Sequence, residues 1–288
     1  MPNEEYNDVE GGFGIATRRI ISYVVLIILT VLCLFWFYLL MINSTRSNAE
    51  LNRGFTLLPS TYLITNLTNV LHGTIPVLRG MLNSFIVASL CAIVCTYFSG
   101  MTAYAIHVYD FKLKKAIFTF ILAVMMIPTQ VTALGFIKLI NNLKLDDSYI
   151  PLIVPTIAAP AVFYYMKQYM ESALPHAIVE AARIDGSSEW RTFNEISLPI
   201  MKPAFAVQLI FNFVTNWNNY FTPALVLHSD NKKTLPILIA QLRAADFLKF
   251  DMGQVYVTIL LSILPVVIVY LFLSRSIVQG VAVGSVKG

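Results

Sequence analysis

The residues whose types and spacing suit a specific job lie at 180–199, and that job is contact rather than catalysis. The stretch 180–185 is rich in helix formers, with Ala181, Ala182 and Ile184 as small and apolar contact positions among charges. Gly186 suits the positive φ that ends a helix, and Ser187 or Ser188 is placed to cap a following one. Glu189 then complements the positive N-terminus of that second helix, and Pro199 and Pro203 close it. The spacing predicts a charged helix-loop-helix. An ordinary amphipathic loop with solvated charges is the alternative reading of the same residues.

Catalytic groupings are not apparent. His72, His107, His176 and His228 are scattered over different segments, so no Ser-His-Asp or Cys-His constellation emerges. The chain has no Gly-x-x-x-x-Gly-Lys-Ser/Thr phosphate loop. Cys91 and Cys95 share a helix face, but two thiols without a nearby His, Asp or Glu make a poor metal site. Both read as buried small apolar residues, and neither a catalytic nor a metal-binding residue is assigned.

The elements that must position the loop are membrane helices. Hydrophobic residues make up 57% of the chain and charged ones 12%, against about 25% charge in a soluble domain. Windows 20–45, 80–109, 116–137, 148–166, 203–229 and 252–274 contain no Asp, Glu, Lys or Arg. Each reaches the roughly 17–25 residues that cross a bilayer, predicting an all-α integral membrane protein with six transmembrane helices. The segment 54–78 is also uncharged but holds Pro59, Pro76, Gly73, Asn66 and Asn69, so it is expected to form short interfacial helices on the outer side. Arg18 and Arg19 precede the first window, and Lys112, Lys114 and Lys115 fill the short loop after the second. This predicts cytoplasmic N- and C-termini. The net charge of +4 therefore reflects topology and not nucleic-acid binding.

Within this frame the second window, rich in Ser84, Ala88, Ala92, Gly100 and Ala103, is expected at the centre of the bundle. Pro128 and Gly135 in the third window fit either a pathway break or a packing kink, and Pro151, Pro155 and Pro160 predict a bent fourth helix. Asn216, Trp217, Asn218 and Tyr220 form a polar-aromatic cluster expected to face protein or a water-filled path.

The run Glu180-Ala181-Ala182, then Gly186, closing in Ile196-Ser197-Leu198-Pro199, resembles the EAA loop of ABC importer permeases. Asn83-Ser84, Met126-Ile127-Pro128, Trp217-Asn218 and the tail from Gly280 to Val286-Lys287-Gly288 narrow the resemblance. They look like the carbohydrate class, of the maltose-permease second-subunit type. Asn219 and Ser274-Arg275 depart from that pattern.

The resemblance implies a type I ABC importer permease fold in the cell (inner, cytoplasmic) membrane. It implies a division into a cytosolic tail 1–19, a first helix 20–42, an extracytoplasmic segment 43–79, a core 80–278 containing the coupling loop 172–202, and a cytosolic tail 279–288. It further implies ATPase coupling through Glu180, Ala181, Ala182, Asp185, Gly186, Leu198 and Pro199, with Ala181 and Ala182 inserted in the ATPase surface. Gly280, Gly284 and Lys287 would touch the ATPase from an extended tail, for which a frayed end is the alternative.

The implied partners are a second, different permease subunit, an ATPase dimer carrying ATP and Mg, an extracytoplasmic sugar-binding protein and membrane lipid. The solute would be a sugar, with an oligosaccharide preferred. An ion-coupled secondary transporter or channel is the alternative, disfavoured because the six windows lack Asp and Glu and because the 180–199 loop would have no purpose.

Overall fold

The computed structural model describes residues 14–244 and 251–285, and every regular element among them is helical. The principal helices are α1 (Ile15–Ser44), α2 (Val77–Val108), α3 (Lys114–Val124), α4 (Thr129–Asn142), α5 (Pro160–Ala173), α6 (His176–Ile184), α7 (Lys202–Trp217) and α8 (Met252–Ser285). Among the described residues four stretches are long and apolar enough to cross a membrane: Thr17–Ser44, Val77–Val108, Ile150–Ala173 and Met252–Ser274. A fifth exists if Glu189–Ile200 and α7, bent by 82° at Met201, count as one.

The window 116–137 is not one helix. Pro128 takes an extended conformation (φ −63°, ψ 133°) and splits it into α3 and α4. Proline lacks an N–H and disfavours helical geometry at the residue before it, here Ile127. At 1.5 Å per residue, α3 and α4 are only about 16 and 21 Å long, each short of the roughly 30 Å of hydrocarbon. Gly135, by contrast, stays inside α4. Pro151 and Pro155 shape the entry to α5 as a short helix, Ile150–Ile153, and a 3-10 turn, Val154–Ile157.

The segment after α1 folds into the short helices Asn48–Asn52 and Leu63–His72 rather than a further span. Ser47 and Glu50 form a reciprocal capping box on the first. Buried Arg46 donates to the Gly54 carbonyl at 2.9 Å. The Asn66 amide donates to the carbonyls of Ser44 and Arg46, both at 2.9 Å.

Helix α2 is the axis of the bundle. Ala88, Cys91 and Ala103 have no exposed surface, and each of the three apolar clusters of the core includes α2 residues. Small side chains let the neighbouring backbones come close, which is how helices associate where lipid removes the hydrophobic drive between them. Gly100 is one such close approach, since a Cβ there would lie 2.4 Å from Cζ of the buried Phe205 on α7. Gly100→Leu should therefore separate α2 from α7 and cost about 1–3 kcal/mol through overpacking. Thermal unfolding of the purified protein in detergent should show a lowered midpoint, and an unchanged midpoint would contradict this contact.

Candidate functional site

The 176–200 loop is built on two local devices. Helix α6 ends at Ile184 with Asp185 as its C-cap, after which the Ser187 amide donates to the Ala182 carbonyl at 2.9 Å and the Gly186 amide to the Arg183 carbonyl at 3.0 Å. This is a Schellman closure, and Gly186 supplies its left-handed residue at φ +77°. The chain then restarts with Ser188 as N-cap, its hydroxyl accepting from the Arg191 amide, and Glu189 in the first turn. The short helix Glu189–Arg191 widens into a π-helical turn, Thr192–Ser197, continues as Leu198–Ile200 and bends into α7.

A polar cluster fixes the two halves to each other. The Glu189 carboxylate accepts from Arg183 Nε at 2.7 Å and from the Tyr104 hydroxyl at 3.1 Å. The hydrogen bond from Arg183 holds the Glu189 carboxyl below its ordinary range, and burial pushes the Tyr109 phenol up. The Arg183 guanidinium lies over the Tyr109 ring, 5.4 Å from its centroid. Because the Glu189 value is depressed, this tie is complete above the unfolded carboxylate range near pH 4.3 and is lost only as pH falls through the lower folded value.

The expected contact residues divide. Glu180, Ala181, Asp185, Gly186 and Pro199 are exposed and Leu198 is half-buried. Ala182 is 6% exposed and faces the body of the subunit beside buried Val179, so it is not available to insert into a partner. The projecting apolar residues are Ile184, 86% exposed, and Trp190, 61% exposed. The 3.6-residue helical period placed Ala182 and Ile184 on different faces, but only the packing of α6 decides which face is buried.

The polar-aromatic cluster divides too. Trp217 is buried and stacks on Phe213 with ring centroids 5.8 Å apart, so it belongs to the core and not to an open path. Asn218 is exposed and its amide donates to the Val214 carbonyl, and Tyr220 is also exposed. Asn216 does line a cavity of about 700 Å³, together with Asn219, Thr222, Phe221, Thr156 and Pro155. Thr156 escaped the sequence reading because only folding brings it beside Asn216, Asn219 and Thr222.

The tail differs from expectation in conformation. Gly280 and Gly284 lie within α8, which runs to Ser285, rather than in an extended segment, and Lys287 lies outside the described residues.

The family model described as "Binding-protein-dependent transport system inner membrane component" matches residues 98–283, which take in the loop, α7 and the cavity's Asn216 and Asn219. The chain belongs to this family. It is 33% identical over 276 residues to the arabinooligosaccharides transport system permease protein AraQ of Bacillus subtilis, covering 94% of this chain and 96% of that one. It is also 28% identical to the lactose transport system permease protein LacG of Rhizobium radiobacter, covering 93% and 96%. With the sn-glycerol-3-phosphate transport system permease protein UgpE of Salmonella choleraesuis it shares 32% identity, covering 91% and 95%. A solved chain from a bacterial ABC transporter involved in the import of the acidic polysaccharide alginate has the same fold. Its TM-score is 0.77 at 21% identity, covering 92% of this chain and 99% of that one. The protein is thus a multi-pass membrane permease component and not an enzyme.

The permease's Gly186 tests the loop geometry. A Cβ there meets nothing within 4 Å, so the penalty of substitution is the left-handed backbone alone, about 1–2 kcal/mol for a β-branched residue. Gly186→Val should speed hydrogen exchange of the Asp185 and Ser187 amides, whereas Gly186→Asn should do so much less. Equal exchange in both variants would contradict the Schellman closure.

Proposed function

We propose that this permease is one transmembrane half of an ATP-driven sugar importer, with an oligosaccharide as solute, paired with a second, different permease subunit. An ATPase dimer carrying ATP and Mg docks on the 176–200 loop, and an extracytoplasmic binding protein delivers the sugar. The observation that carries this reading is the loop itself. It stands on a rigid helical base, closes on Gly186, and presents exposed Glu180, Ala181 and Ile184 outward. Family membership and the transport roles in the relatives' names support it, and an ion-coupled transporter or channel finds no support in them.

The six-crossing arrangement, with both termini and the 172–202 loop in the cytoplasm, belongs to the same proposal. The third crossing is made by α3 and α4 as a broken pair and the fifth by α7 with the short helix Phe221–Val226 that follows it. Residues 1–19 and 279–288 are then cytosolic tails, 20–42 the first helix, 43–79 extracytoplasmic and 80–278 the core. The path runs past the cavity at Asn216 and Asn219. Its side-chain amides and hydroxyls pair with sugar hydroxyls, and Phe136 and Phe221 offer faces for the apolar side of a ring.

Two measurements test the proposal. Cysteines placed at Ser47 and Asn231, in a background lacking Cys33, Cys91 and Cys95, should react with impermeant reagents added outside intact cells. One at Ser188 should not, and external labelling at Ser188 overturns the orientation. In proteoliposomes holding the complete complex, Asn219→Leu should lower arabinotriose or lactose uptake several-fold with the ATPase still bound. Trp217→Ala, removing a core ring, should instead destabilise the subunit by about 3–5 kcal/mol. Parental uptake by the Asn219→Leu complex, for whichever of these sugars the complex carries, counts against the path.

A further inference from the structure

Helix α2 holds one loop at each end, and both grips are polar. Near its C-terminus, the Tyr97 hydroxyl donates to Asn194 Oδ1 at 2.9 Å and the Tyr104 hydroxyl to Glu189 Oε2 at 3.1 Å. Positions 97 and 104 are two helical turns apart on one face of α2, and both rings pack against Phe193, at 5.7 and 5.4 Å between centroids. Glu189 also takes Arg183 of α6, so this grip reaches both halves of the 176–200 loop. Near the N-terminus, buried Asn83 donates from its amide to the carbonyls of Asn231 and Lys233, each at 2.9 Å. Buried Ser84 accepts from the Leu235 amide at 2.8 Å.

From Ser84 the helix rises about 20 Å to Tyr97 and about 30 Å to Tyr104, a length comparable to the hydrocarbon layer, so the two grips sit towards opposite ends of the span. Nothing interrupts α2 between them. Three other core stretches are broken or bent, at Pro128, at Pro151 and Pro155, and by 82° at Met201, while α8 runs on through an interior Pro265. Helix α1 is also free of proline, but only 6% of its apolar window is buried and the loop is not tied to it.

We infer that α2 is a rod carrying displacement of the 176–200 loop to the 228–235 segment across the membrane, with Tyr97, Tyr104 and Glu189 as the positioning residues of one end and Asn83 and Ser84 of the other. A continuous helix resists bending because each turn is braced by its own hydrogen bonds, so a push at one end moves the far end instead of being absorbed at a hinge. The hydroxyl bond to the Glu189 carboxylate is charge-assisted, which makes it a firm point of attachment. The far end needs no separate hinge, because the 228–235 segment is also clamped to the loop before α5. Asp147 accepts there from the His228 and Ser229 amides, the Ser229 hydroxyl and Lys232 Nζ. This inference rests on the reading of the 176–200 loop as the ATPase contact.

The test uses the complete reconstituted complex in a background lacking Cys33, Cys91 and Cys95. Spin labels are placed at Glu195 on the loop side and, separately, at exposed Asn231 on the far side. In the parental permease, MgATP with the binding protein should change the signal at both positions. Tyr97→Phe combined with Tyr104→Phe keeps the rings and their packing on Phe193 but removes both hydroxyls. The Glu195 response should persist, while the Asn231 response and the saturated, binding-protein-stimulated ATPase rate each fall about tenfold, as for loss of a hydrogen bond to a charged group. The binding-protein concentration giving half-maximal stimulation should stay unchanged. Glu189→Gln retains an acceptor for Tyr104 and should keep the far response, whereas Glu189→Leu should lose it. An Asn231 response of parental size in the double Phe variant, or in Glu189→Leu should the double variant fail to assemble, overturns the rod. Silence of both labels in the parental complex overturns the transporter reading and the rod together.

Discussion

Close packing of α2 against its neighbours is the constraint on which the rest of the permease depends. In a bilayer, lipid chains are as apolar as the side chains they touch, so burying Leu or Val against another helix brings little gain over leaving it in lipid. What remains is the fit of surfaces. Ala88, Cys91, Ala92, Cys95, Gly100 and Ala103 give α2 a slim profile, and α5 and α7 lie against it with large side chains such as Phe163, Met166 and Phe205. Once that seam is set, the positions of the 176–200 loop and of the 228–235 segment follow, because both are hydrogen-bonded to α2.

The breaks in the other segments have a complementary role. Each proline frees backbone groups that lipid cannot satisfy, so such breaks belong where protein or water covers them. The cavity of about 700 Å³ is lined by α4, by Pro151 and Pro155 before α5, and by the residues around the end of α7. Its polar lining, Thr132, Thr156, Asn216, Asn219 and Thr222, is neutral. Amides and hydroxyls are far less costly than charges within the membrane and pair readily with hydroxyl-rich molecules.

Much of this was legible in the sequence, for reasons that are local. Charge-free windows mark membrane segments because lipid excludes charge over about 20 residues regardless of neighbours. Gly186 and Ser188 announced a helix end and a helix start because capping is settled within a few residues, and φ +77° at Gly186 with the Ser188 cap matches that expectation. The small residues of 77–108 likewise marked the central helix. The loop's family pattern was visible for the same reason, since its spacing is fixed along the chain.

What the tertiary structure alone decided is the facing of individual side chains. Ala182 turned inward and Ile184 outward, and Trp217 entered the core while nearby Asn219 joined Thr156 at the cavity. Of the two readings left open for Pro128 the structure chose a full break, and Gly280 and Gly284 continued a helix in place of an extended tail. The sequence determines how apolar a segment is and where it can turn, because those properties sum over adjacent residues. Which face meets protein depends on contacts such as Tyr104 with Glu189, 85 residues apart, or Asn83 with Lys233, 150 apart. No periodicity along the chain encodes such pairings, because they arise only when separate helices are brought side by side.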